Sequence, residues 1–134
     1  MSTFSTAEEA REYFKNDRFA TVNGMELDEL TPDGCVCSMT IGENHKNALG
    51  GLMGGVLFTL GDFAFAIASN NAHLGTVAID VHIHFLAAAK GSRLTARASC
   101  VKDGRTTAVY EVKITDDTGR DVALFVGTGY KLQK

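Results

Sequence analysis

The residues best suited to chemistry lie between Asn44 and Asn71. Asp62 is the one charge in the apolar run Val56–Ala68. A carboxylate among such neighbours is costly unless it has a partner or a task. Desolvation raises the pKa of a carboxyl, so Asp62 is suited to accept a proton near neutrality, as a general base or a nucleophile in a hydrolysis. The plainer reading is a structural carboxylate, exposed or hydrogen-bonded between apolar residues. Two glycine pairs, Gly50-Gly51 and Gly54-Gly55, precede the run. Glycine lets backbone amides approach a ligand closely. A helix that begins there presents unpaired N–H groups and its positive dipole end to whatever sits in front.

These groups need a frame. Val56, Leu57, Phe58, Leu60, Phe63, Phe65 and Ile67 cover every side of a helix over Val56–Asn70, which predicts a helix buried all round. Asn44–Gly55 reads as an irregular loop before it. Upstream, Ser5 or Thr6 with the glutamate three residues on is a capping box. It opens a short amphipathic helix to about Asn16, with Ala10, Tyr13 and Phe14 inward. Leu27–Leu30 and Cys35–Ile41 are predicted strands joined across Thr31-Pro32-Asp33-Gly34, a strong turn signal. After Gly75 come four more strands, Val77–Leu86, Arg93–Lys102, Thr106–Thr115 and Asp121–Leu132. Hairpin residues punctuate them at Lys90-Gly91, Asp103-Gly104 and Asp116–Gly119. Leu94, Ala96, Ala98 and Cys100 alternate with Thr95, Arg97 and Ser99, so one sheet face is buried. The expected class is α+β, with about five or six antiparallel strands curled around one apolar helix.

Composition narrows the function. A chain of 134 residues, 45% hydrophobic and 22% charged, reads as one globular domain over 1–134. A net charge of −3 gives no sign of nucleic acid as partner. Residues 1–67 carry four Lys/Arg against ten Asp/Glu, and residues 68–134 carry nine against six. A phosphate-bearing ligand therefore meets the second half more easily. Three cysteines without framework spacing, and without a preceding signal peptide, predict free thiols in a reducing cytoplasm. No apolar run reaches the ~18 residues of a membrane helix.

The stretch from His45 resembles the hotdog-fold thioesterases, in particular the PaaI-like and thioesterase-superfamily-2-like group. The family run H-x-N-x-x-G-x-x-H-G-G-x-x-x-x-L-x-D-x-A reads here His45, Asn47, Gly50, Met53, Gly54, Gly55, Leu60, Asp62, Ala64. The likeness spans most of the chain, from Asp17–Ala20 to the final strand. It implies a hotdog fold and an acyl-CoA thioesterase, with Asp62 as general base or nucleophile and the Gly54 N–H stabilising an oxyanion. Asn47 either shapes a turn or, as the resemblance implies, orients the attacking water or the carbonyl. Gly55 would serve close packing and, with Met53, is a further substrate-binding candidate beside the acyl-CoA. In relatives the turn matching Lys102–Thr107 contacts coenzyme A, so Lys102, Gly104, Arg105 and Thr106 are substrate-binding candidates. Lys90 and Arg93 are weaker ones, and a plain solvated turn is the competing account.

Met53 departs from the family, which has histidine there. A thioether cannot donate a hydrogen bond, so a polarising group is lost. Ala78, where some relatives carry serine, is a second departure. A non-catalytic acyl-CoA or ligand-binding protein is accordingly the rival reading. The resemblance calls for no metal or redox cofactor, coenzyme A being part of the substrate. His82/His84 and Cys35/Cys37 form H-x-H and C-x-C pairs, but strand alternation produces these by chance, and packing or pocket lining explains both. Phe58, Phe63 and Phe65 either line an acyl site or belong to the core.

Gly54 and Asp62 are eight residues apart, about 12 Å along one helix. They cannot both touch one carbonyl carbon from the same copy. A second helix running antiparallel across a two-fold axis would bring them together, so the expected molecule is at least a homodimer, with further pairing into tetramers left open.

Overall fold

The computed structural model describes residues 2–132, so residues 1, 133 and 134 of the expected domain lie outside it. The N-terminal capping signal resolves to Thr6. Its Oγ1 accepts the Glu9 N–H at 3.1 Å, and the Glu9 carboxylate accepts the Ser5 N–H at 2.8 Å. Helix α1 (Ala7–Phe14) follows and buries Ala10 and Phe14. Tyr13, expected inward, is 50% exposed and stands at the rim beside Phe4 and Phe14. Its ring packs edge-on against Phe14 and tilted against Phe4 while half of the residue stays open to solvent. Two helical pieces among the described residues are additional to those expected: α2 (Arg18–Val22), ended by Asn23 and by Gly24 at φ +83°, and a single 3-10 turn over Glu43–His45.

Six strands follow the expected segments to within one or two residues. They are β1 (Glu26–Thr31), β2 (Gly34–Thr40), β3 (Thr76–Phe85), β4 (Arg93–Asp103), β5 (Thr107–Asp116) and β6 (Asp121–Lys131). They form one antiparallel sheet in the order β1-β2-β4-β5-β6-β3. Helix α3 (Gly54–Ala72) links β2 to β3, which lies at the far edge of the sheet, and packs against five of the strands on the way. The expected α+β architecture, a curled sheet around one long helix, is therefore present.

Helix α3 starts two residues before the predicted Val56 and ends two after the predicted Asn70. Asn70 does not stop the helix. Its side chain bridges onward, with Oδ1 accepting the Gly75 and Thr76 N–H groups and Nδ2 donating to the Ala66 and Thr76 carbonyls. The helix lies tight on the sheet. A Cβ on Gly61 would stand 2.6 Å from the ring of the wholly buried Phe125, and Gly127 and Gly129 leave room for Phe65. Leu94, Ala96 and Ala98 of β4 are buried beneath it as the alternation requires.

The helix is not buried all round. Gly55 and Phe58 are exposed, and Thr59, Asp62 and Ala66 are only partly covered. Spaced three and four apart, they form one stripe turned away from the sheet. One sheet covers one side of a helix, so the apolar ring read from the sequence has an open flank.

Candidate active site

Met53, at φ −66° and ψ 130°, delivers the chain in extended form to the first residue of α3. Its carbonyl accepts the Val56 N–H at 3.0 Å. Among the described residues the N–H groups of Gly54 and Gly55 have no acceptor, so the positive end of a 19-residue helix is free to bind an oxygen. Two clefts flank this point. One of about 570 Å³ runs past Gly54 and is walled by Asn47, Leu57, Phe85 and Ala87–Ala89. The other, of about 440 Å³, passes Gly55 and is walled by Met53, Phe58 and Thr59, with Phe19 from α2.

Each wall has a cause. The Phe85 ring lies against Gly54, where a Cβ would meet it at 3.1 Å. The segment after Phe85 is held by acids of the β5–β6 turn. Asp116 accepts the Lys90 N–H at 2.7 Å and Asp117 accepts the Ser92 N–H at 3.0 Å. The Thr118 hydroxyl and three backbone N–H groups hold the Asp116 carboxyl well below the usual carboxylate range. Asn47 shapes the opposite wall. Its Oδ1 accepts the Leu49 and Gly51 N–H groups, both at 3.0 Å, so the turn reading is realised while the residue also lines the Gly54 cleft.

Asp62 stands two turns along α3 on the open stripe, half-buried. Burial, and secondarily the charge of Asp17 before α2, push its carboxyl above the ordinary value. That is the direction a proton acceptor working near neutrality needs.

The turn after β4 is at the other end of the fold. Thr107 pairs with Tyr130, and Lys131 with Thr76, whereas Phe85 at the opposite end of β3 touches Gly54. The ten residues of β3 lie between, about 30 Å at the rise of a strand. Lys131 organises the turn: Nζ bonds Asp103 and the Gly104 carbonyl, both at 2.6 Å, and its N–H donates to the Thr106 carbonyl. Lys102, Arg105 and Thr106 project into solvent beside Gly104. A single chain therefore brings Asn47, Met53, Gly54 and Gly55 to the helix start, but holds Asp62 and the 102–106 turn apart from them. Of the weaker candidates, Arg93 is engaged by the Thr40 and Ser38 hydroxyls, both at 2.7 Å, and Lys90 is exposed.

The paired histidines and cysteines do not converge. His82 and His84 are exposed on β3 at one sheet edge, while Cys35 and Cys37 are fully buried on β2 near the other. The two sulfurs are 4.0 Å apart, and Cys35 donates to the Ala64 carbonyl. Contact with Cys35 and burial hold the Cys37 thiol protonated, which makes this pair core packing. Among the described residues no group of three or more His, Cys, Asp or Glu is arranged to hold a metal. No described helix is long and apolar enough to cross a membrane. Phe63 and Phe65 are core residues, whereas Phe58 lines a cleft.

Phe85, Phe19 and Asp17 border the site without any local signal in the sequence. Each reaches it through a fold contact from a distant segment.

Known proteins place this geometry. The sequence profile of the thioesterase superfamily matches residues 49–123. The acyl-coenzyme A thioesterase PaaI of Escherichia coli is 33% identical over 92% of this chain and 89% of its own length. Human acyl-coenzyme A thioesterase 13 is 32% identical over 90% of each chain. The solved structure of the E. coli PaaI protein superposes with a TM-score of 0.88 at 30% identity, covering 96% of this chain and 97% of that one. With this sequence match, this helix-in-sheet fold and this helix start, the chain belongs to the thioesterase superfamily, among its PaaI-like hotdog-fold thioester hydrolases.

Proposed function

We propose that the protein is an acyl-CoA thioesterase whose active site is shared by two copies of the chain. The observation that carries this is the placing of the parts along α3. The free Gly54 N–H and the pKa-raised Asp62 lie about 12 Å apart on one helix, and the cationic 102–106 turn lies beyond them at the far end of the fold. An antiparallel two-fold pairing would bring all three to one point, with Asp62 and the turn coming from the second copy. The open flank of α3 and the apolar edge strand β3, with Val77 and Ile79 exposed, offer a surface for that pairing.

In this site the thioester oxygen takes the Gly54 N–H. The partner's Asp62 carboxylate removes a proton from water, and the resulting hydroxide adds to the carbonyl carbon. The C–S bond then breaks, and coenzyme A leaves with the proton held by the carboxyl. Direct attack by Asp62, giving an anhydride that water opens, uses the same groups. Asn47 orients the water or the carbonyl. Arg105, Lys102 and Thr106, on the turn formed by Gly104, hold the phosphates of coenzyme A.

Asp62→Asn tests the assignment. The expected result is a kcat lowered by about 10²–10⁴-fold, the usual worth of a positioned base. The rise of kcat/KM with pH, centred above the ordinary aspartate value because burial raises this carboxyl, should vanish with it. Turnover equal to wild type would remove Asp62 from the mechanism. Met53 supports the second reading, since it brings only a half-exposed thioether to the Gly55 cleft. Tight acyl-CoA binding without release of coenzyme A by the wild-type protein would favour that non-catalytic role.

A further inference from the structure

His45 lies on the loop before α3 yet is only 5% exposed. Its Nδ1 accepts the Gly42 N–H at 2.8 Å, and its own N–H donates to the Gly42 carbonyl at 3.1 Å. An imidazole nitrogen that accepts carries no proton, so the ring proton is on Nε2. That atom is buried and has no partner among the described residues. A buried polar group left unpaired normally costs stability, so the ring is held there by the Nδ1 bond and by packing. On its other side the His45 carbonyl accepts the Met53 N–H at 2.9 Å. The loop between is closed by its own bonds, Lys46 bridging Leu52 and Asn47 collecting the Leu49 and Gly51 N–H groups. His45 thus joins the base of this loop at both ends, to Gly42 and to the residue whose peptide bond carries the Gly54 N–H.

We infer that His45 is a positioning residue, fixing through Met53 the direction in which the Gly54 N–H points. The inference rests on the proposed role of that N–H as the oxyanion donor. An amide turned away from the reacting oxygen loses most of its effect, because small misplacements at a reacting centre are costly in rate. The ring does this by accepting at Nδ1, so any side chain that accepts at the same place should serve.

Two substitutions separate the ring's two nitrogens. His45→Asn puts an amide oxygen where Nδ1 stands and keeps the Gly42 bond. His45→Gln reaches the Nε2 position with a donor and leaves Gly42 without its acceptor. Both are compared with wild type in acyl-CoA turnover, in thermal unfolding, and in the amide resonances of Gly54 and Gly55 in a ¹⁵N-labelled protein. The expected result for His45→Gln is a kcat lower by about ten- to a hundredfold with KM within about twofold, and a displaced Gly54 amide resonance. His45→Asn should stay within about threefold of wild type with that resonance in place. Equal kcat in the two variants, a loss confined to KM, or an unmoved Gly54 resonance in His45→Gln would overturn the inference. Should His45→Gln fail to fold, a folded His45→Asn with a tenfold lower kcat overturns it alone. If the wild-type protein hydrolyses no acyl-CoA, the proposed function falls, while the amide resonances still decide what His45 positions.

Discussion

Gly54 contributes one hydrogen-bond donor, and its place in the chain allows that donor to be deleted almost alone. It is the first residue of α3, where proline is favoured because the N–H is unpaired in any helix. Met53 already has the extended backbone that a residue before proline adopts, at φ −66° and ψ 130°. Any side chain there adds a Cβ against the Phe85 ring at 3.1 Å, but that ring is 58% exposed and can yield. Gly54→Ala is therefore the right control, with the same Cβ and the N–H retained. Gly54→Pro should cost about 10²–10³ in kcat, the usual worth of one oxyanion donor, with little change in thermal stability. Gly54→Ala should stay near wild type. A fall of equal size in both variants would show that the Cβ, and not the missing donor, is responsible.

At the scale of elements, the seating of α3 on β6 fixes how far Gly54 and Asp62 stand from the sheet. Gly61 is the contact point. Replacing a helix glycine by alanine ordinarily stabilises by about 0.8–1 kcal/mol. Here the added Cβ would lie 2.6–3.0 Å from Cδ2, Cγ and Cβ of Phe125, a residue with no exposure and nowhere to move. Overpacking of about 1–3 kcal/mol should win, so Gly61→Ala lowers the denaturant midpoint. Gly55→Ala is its counterpart, since a Cβ there meets only the Met53 side chain at 3.7 Å. It should be neutral or stabilising by up to about 1 kcal/mol. A midpoint raised by Gly61→Ala would mean that the helix is not held at this distance. The same contacts explain what was legible in the sequence. Period-two alternation and Gly, Asp and Pro turns marked every strand, because those signals are local. Helix α2 has only five residues, too few to show a period. The open flank of α3 was hidden for another reason: an apolar residue looks the same whether a sheet or a second molecule covers it. Asp62 and Gly54 stood out because their chemistry conflicts with their neighbours. Asp17 and Phe85 did not, since each acts across a long sequence separation, and the double anchoring of His45 to Gly42 and Met53 did not because an irregular loop has no period to read.

For the whole molecule, the shared-site proposal makes a claim that no single-chain site can imitate. Asp62→Asn and Gly54→Pro each remove one of two groups that the proposal assigns to different copies. In a dimer built from one chain of each kind, one site carries both defects and the other carries neither. Two inactive proteins should therefore regain activity when their chains are mixed. With equal amounts and random pairing, half of the dimers are mixed and one of the two sites in each is intact, so about a quarter of wild-type activity should return. Co-expression with two different affinity tags, followed by purification through both, isolates the mixed dimer and should raise the figure to about half. The restored sites should show wild-type KM, because every group in them is native. If Gly54 and Asp62 served the same site from one chain, each chain in the mixed dimer would remain defective. Activity would then stay at the level of the single variants however the chains were paired, and that result would refute the shared site while leaving the thioesterase fold intact.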